Sequence, residues 1–118
     1  MLLVDDQPPF LRAMSSVVEE TAGFEVVGEA SSGEESILAA AVLLPDLVLM
    51  DVNLPGVDGM EATRRIRRAQ SPPVVLLLST HDEGAGAPFV AECGAAAYVT
   101  KSALGPDRLV EVWTSASA

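Results

Sequence analysis

Five short apolar runs, separated at a steady interval by stretches with helical patterning, limit this chain to a narrow set of folds. The runs begin near Leu2, Phe24, Asp46, Val74 and Ala96. The helical stretches cover roughly Pro9 to Thr21, Gly33 to Leu43, Met60 to Ala69, Pro88 to Cys93 and Pro106 to Thr114. Runs such as Leu47-Val48-Leu49-Met50 and Val74-Val75-Leu76-Leu77-Leu78 are apolar throughout rather than alternating, the pattern of strands buried on both faces. Strand and helix in alternation imply five βα units and a parallel sheet covered by helices on both sides. A chain of 118 residues is long enough for one such domain and too short for two.

Local punctuation agrees with this division. Ser32-Gly33-Glu34-Glu35 reads as a capping box opening the second helix, with Ile37, Leu38, Ala41 and Val42 expected as its inward stripe. Leu44-Pro45-Asp46 ends that helix, because the residue before a proline is pushed out of the helical region. Pro106 suits the first turn of the last helix. Met60, Thr63 and Ile66 recur at helical spacing and are expected inward, leaving Arg64, Arg65 and Arg68 outward. Glu83-Gly84-Ala85-Gly86-Ala87-Pro88 is a poor helix former, so the fourth helix is expected to start late.

The expected α/β fold is a flavodoxin-like (βα)5 doubly wound parallel sheet with strand order 2-1-3-4-5. This order sets the first and third strands side by side at the topological switch point, where such sheets gather function at the carboxyl ends of their strands. Asp5, Asp6, Asp51 and Lys101 all stand at such ends. Crowded carboxylates repel, so the three acids call for a divalent cation, and Mg²⁺ takes hard oxygen ligands. With part of the charge neutralised, Asp51 becomes a nucleophile towards phosphorus. Lys101 offers a compact positive charge and Ser79, ending the fourth run, a hydroxyl for phosphoryl oxygens.

Composition narrows the classes further. The formal net charge of −10 argues against nucleic acid or an anionic membrane as a direct partner of this domain. No run approaches the ~18 apolar residues of a membrane span. The start lacks the basic segment and cleavage site of a secretory signal. The single Cys93 cannot pair within the chain, so a reducing cytoplasm is the expected compartment and a small buried apolar residue its expected role. His81 is expected in a loop at the rim of the site, with no second ligand beside it. The arginines from Arg64 to Arg68 are expected to form a solvated helix face.

Four segments, Leu3-Val4-Asp5-Asp6, Pro45 to Gly59 around Met50-Asp51-Val52-Asn53, Leu78-Ser79-Thr80 and Gly94 to Lys101, together resemble the receiver domains of bacterial two-component response regulators. The resemblance covers essentially the whole chain, with its motifs in order at the right strand ends. It implies Asp51 as phosphoacceptor, Asp5 and Asp6 as the acidic pair holding Mg²⁺, and a backbone carbonyl of Asn53 as a further metal ligand. It also implies Ser79 as the switch hydroxyl, Tyr98 as the rotating aromatic and Lys101 as the phosphate-pairing lysine. Phe24 to Ala30, Gly59 to Arg67, and Ser102 rather than proline after Lys101 are similar to the NarL/LuxR type of transcription regulator.

That resemblance implies a phosphorylation-activated signalling switch, not a turnover enzyme. The expected partners are a sensor histidine kinase or small phosphodonor, and a second copy on activation. Residues 1–118 then read as a receiver domain cut from a longer regulator, with DNA reached through an absent C-terminal helix-turn-helix domain. Thr80, where many receivers carry Ala or Gly, is expected to narrow access to the phosphoryl group. Two rivals are weighed beside this reading. An aspartate-nucleophile phosphatase usually carries a second acid two residues beyond the nucleophile, where Asn53 stands here. A phosphorylation-independent receiver-like interaction domain has no need of the acidic pair and Lys101.

Overall fold

The computed structural model describes residues 1–80 and 87–117, and among these strands and helices alternate as expected. The elements are β1 (Leu2–Val4), α1 (Pro8–Glu19), β2 (Gly28–Ala30), α2 (Gly33–Leu43), β3 (Leu47–Asp51), α3 (Gly59–Ile66), β4 (Val74–Ser79), α4 (Ala87–Cys93), β5 (Ala97–Thr100) and α5 (Pro106–Ser117), with a 3-10 turn over Lys101–Ala103. The sheet is parallel, in the order β2-β1-β3-β4-β5. The expected doubly wound topology is the one observed.

Side chains along a strand alternate between the two faces, and this sorts the core into two layers. Leu2, Val4, Val48, Met50, Val75, Leu77 and Tyr98 meet Ala62 and Ile66 of α3 and Cys93 of α4, with Ile37 of α2 packed against them. Leu3, Leu47, Leu49, Leu76, Leu78 and Val99 meet Met14 and Val18 of α1 and Leu109 and Val112 of α5. Burying both faces explains why the central strands are apolar without interruption. Asp5 and Asp51 extend the series Leu3 and Leu49, so they share the α1 and α5 side of the sheet.

Most local signals act as expected. The Ser32 hydroxyl accepts the Glu35 N–H at 3.1 Å, capping α2. The Glu35 carboxylate accepts from Ser31 instead of completing the box. Leu44 closes α2 in the left-handed region, φ 49°, with its N–H on the Ala40 carbonyl. Pro8 and Pro9 fill the first turn of α1, where no amide donor is needed.

Three expectations need correction. β2 begins at Gly28 rather than near Phe24, because its register pairs Leu2 with Gly28 and the stretch before it meets β1's side only through Met1, whose ammonium donates to the Glu25 carbonyl and whose carbonyl accepts the Val27 N–H. Phe24 and Val26 pack instead against the α1–α5 layer, with Phe24 edge-on to Trp113 at 6.4 Å. α3 stops at Ile66, three residues early, as its last turn tightens to bonds from Arg68 to Arg65 and from Ala69 to Ile66. In α2, Leu38 and Val42 point outward at 69% and 79% exposure and Ala41 is exposed as well, so of the expected stripe only Ile37 faces in, beside Ser36, Ala39 and Ala40. His81 and Glu83 to Gly86 lie outside the described residues.

Candidate functional site

β1 and β3 are neighbours with Val4 opposite Met50, so the residues that follow, Asp5 and Asp51, emerge side by side at the carboxyl edge. Asp5 is fully buried. Its Oδ1 accepts the Gln7 N–H at 2.9 Å and its Oδ2 accepts from Lys101 Nζ at 2.7 Å. Asp51 is 3% exposed. Its Oδ1 accepts the Asn53 N–H at 3.1 Å, and its Oδ2 lies 3.7 Å from Lys101 Nζ. Asp6 is exposed, yet it offers an oxygen within 4.8 Å of oxygens from both Asp5 and Asp51.

Lys101 arrives from the far edge of the sheet, as the first residue of the 3-10 turn after β5. Its side chain is 8% exposed, and its Nζ sits 3.8 Å from the centre of the Phe10 ring. One ammonium against three carboxylates leaves the group two charges negative. Burial is the main force raising the Asp51 carboxyl above its ordinary range, and the charges of Asp5 and Asp6 add to it. The Asn53 N–H and Lys101 pull the other way. Hard oxygens converging on a buried, under-neutralised point fit a small divalent cation.

Two glycines hold the loop that follows Asp51. A Cβ on Gly59 would sit 2.1 Å from the Asp51 carbonyl oxygen, and one on Gly33 2.1 Å from the Val57 carbonyl oxygen. Gly59 N–H donates to Val52 at 3.2 Å, and Val57 N–H donates to the Glu34 carboxylate at 2.9 Å. The amino ends of α2 and α3 therefore press on this loop from two sides. Neither contact was expected from the sequence, although each glycine follows a capping residue, Ser32 or Asp58, that marks a helix start. Phe10 was also missed, since its partner lies at the other end of the chain.

The structure thus brings together Asp5, Asp6, Asp51 and Lys101, with Asn53 joined through its N–H. Ser79 ends β4, buried, opposite Thr100. Tyr98 lies in β5 opposite Leu77, 7% exposed within the α2–α4 layer. Thr80 is exposed, and Cys93 is buried as expected. Thr63 and Ile66 face inward while Arg65 and Arg68 are solvated.

A doubly wound sheet with acids at its switch point and a lysine reaching them defines a class of phosphoryl-handling α/β domain. Residues 1–114 match the family described as "Response regulator receiver domain". The chain is 38% identical over 103 residues to the response regulator UvrY of Escherichia coli K12, covering 87% of this chain and 47% of that one. A LuxR-family response regulator from Aurantimonas sp. SI85-9A1 superposes with a TM-score of 0.85 at 36% identity, over 97% of this chain and 81% of that one. The receiver domain of a NarL-type regulator from Mycobacterium tuberculosis gives a TM-score of 0.88 at 30% identity, over 99% and 94%. The chain belongs to the response-regulator receiver family, the phosphorylation switches of two-component signalling, and its relatives are of the NarL/LuxR type. It spans about half the length of the curated relatives it matches. Among the described residues, no helix is long and apolar enough to cross a membrane.

Proposed function

We propose that Asp51 is the phosphoacceptor of a cytoplasmic switch serving a longer transcription regulator, which reaches DNA through a domain beyond this one. The observation that carries the reading is the convergence of Asp5, Asp6 and Asp51 oxygens within 4.8 Å beside the Lys101 ammonium. A sensor histidine kinase or a small acyl phosphate supplies the phosphoryl group. An Asp51 oxygen forms the new bond to phosphorus as the bond to the donor nitrogen or oxygen breaks, and the electron pair leaves with the donor. Asp5, Asp6, Asp51 and the Asn53 carbonyl are the groups that would hold Mg²⁺, which would supply positive charge against the phosphoryl oxygens.

The chain's own residues do the rest. Lys101 exchanges its contact with Asp5 for a phosphoryl oxygen, and Ser79 offers its hydroxyl to another, so charge is met by preorganised groups. The domain thereby catalyses its own phosphorylation and later hydrolysis. The added charge of about −2 draws Ser79 and Lys101 inward and lets Tyr98 reorient, biasing β4, α4 and β5 towards a state that pairs with a second copy. The test is intact-mass spectrometry after incubation with acetyl phosphate and Mg²⁺. One phosphoryl adduct is expected on the parent, and none on Asp51→Asn or with a chelator. An adduct that persists on Asp51→Asn would overturn the assignment. A folded, Mg²⁺-binding parent that takes no phosphate from either acetyl phosphate or a kinase would leave a phosphorylation-independent interaction domain.

A further inference from the structure

We infer that Phe10 is a positioning residue for Lys101, a role that rests on the proposed phosphoacceptor reading and adds a part to it. Three things surround the Lys101 ammonium: the Asp5 carboxylate at 2.7 Å, the Asp51 carboxylate at 3.7 Å, and the Phe10 ring centre at 3.8 Å. An ammonium has three N–H groups, and among the described residues these three contacts are the ones that meet it. One N–H donates to Asp5, the charge of Asp51 faces the ammonium at ion-pair distance, and the negative face of the ring takes a further side. The ring also closes that side to water, which keeps the side chain 92% buried although Phe10 itself is half-exposed on the first turn of α1. The Pro8-Pro9 pair opening α1 fixes the backbone from which the ring projects.

The contact matters because Lys101 has to stay near Asp51 while its carboxylate partners change. When a phosphoryl group arrives, the ammonium leaves Asp5 for a phosphoryl oxygen, and the ring remains on its third side throughout. With no ring, the long lysine chain exchanges that face for water and spends less time beside Asp51. A small apolar cavity of about 80 Å³ lies next to the contact, lined by Phe10, Met14, Val17, Leu78, Lys101 and Leu104 among others. A larger aromatic at position 10 therefore has space to enter.

The experiment is a substitution series read two ways. Phosphorylation by acetyl phosphate at saturating Mg²⁺ is expected to fall about three- to tenfold in Phe10→Leu, which keeps the bulk and removes the ring's charge distribution. Phe10→Trp is expected to match or exceed the parent, since indole attracts cations best. In metal-free protein, NMR is expected to find the Lys101 ε-methylene protons shifted upfield by the ring, with the shift retained in Phe10→Trp and lost in Phe10→Leu. Equal rates for Phe10→Leu and the parent would overturn the role, as would equal losses in the Leu and Trp variants, which signify packing alone. Absence of the ring shift in the parent would overturn the contact itself. A parent that takes no phosphoryl group brings down the phosphoacceptor reading and the kinetic role with it, while the NMR arm still decides the contact.

Discussion

The two ends of the sheet solve opposite problems. At the carboxyl end, Asp5 and Asp51 are buried, and each meets the N–H two residues on with one carboxylate oxygen and Lys101, from the far end of the chain, with the other. Among the described residues, the buried Thr21, Ser36 and Thr63 side chains instead each donate to a carbonyl three or four residues back along the same chain segment. At the amino end, large aliphatic side chains are left open: Leu44 is 78% exposed, and cavities of about 500 and 700 Å³ share Leu44, Pro45, Asp46 and Trp113 as lining. One end keeps like charges close at a cost in stability, and the other leaves apolar surface open at little cost. Sites of chemistry are where local rules are broken. Close packing should therefore matter most at the carboxyl end.

The largest effect is expected where a helix start touches the backbone of the phosphoacceptor. In Gly59→Ala the new methyl falls 2.1 Å from the Asp51 carbonyl oxygen and 2.9 Å from the Val52 Cα, so main chain has to move. The expected loss is about 3 kcal/mol or more by chemical denaturation, the range of severe overpacking. Gly105→Ala meets nothing within 4 Å and is expected to cost about 1 kcal/mol or less, the loss of an N-cap preference alone. Similar costs for the two variants would mean that the contact under Asp51 is not tight.

A smaller effect of opposite sign is expected from Asp51→Asn without metal. Burial and the neighbouring acids both disfavour the charged carboxylate. An amide keeps an oxygen for the Asn53 N–H at 3.1 Å and gives up only the longer approach of Lys101 at 3.7 Å. The variant should therefore melt a few degrees above the parent, as relief of a buried like-charge contact implies. Mg²⁺ should raise the Tm of the parent by mass action and that of the variant much less. If Asp51→Asn melts lower than the parent in chelator, Lys101 outweighs the repulsion and the carboxyl end is less strained than its geometry implies.

The same contrast explains what was legible in the sequence. Strand ends could be read because apolar runs such as Leu47 to Met50 stop abruptly at a charged residue, and the topology then carries those ends to one edge. The inner face of α3 could be read because arginines fill the rest of its surface. Most of α2 beyond its acidic first turn is apolar, so its periodicity carries no contrast, and Leu38 and Ile37 look equally fit for the core. Phe24 to Val27 look like a strand, but pairing depends on register with β1, which no local pattern encodes. Contacts across the whole chain, such as Phe10 with Lys101, leave no local trace at all.

The surface of α2 supplies the smallest and most discriminating test. Ile37 packs against the layer formed with α3 and α4, whereas its neighbour Leu38 is 69% exposed. Neighbouring residues on a helix point about 100° apart, so the two positions sample opposite environments in one segment of backbone. Ile37→Ala is expected to cost about 1–2 kcal/mol, below the full core range because the side chain is only partly buried. Leu38→Ala leaves helix propensity almost unchanged and removes no packing, so its effect should stay within about 0.5 kcal/mol. The difference between the two variants cancels any shared effect on the unfolded chain. If Leu38→Ala costs as much as Ile37→Ala in dilute solution, α2 is rotated about its axis. A cost that appears only as protein concentration rises would mean that a second copy covers the exposed stripe.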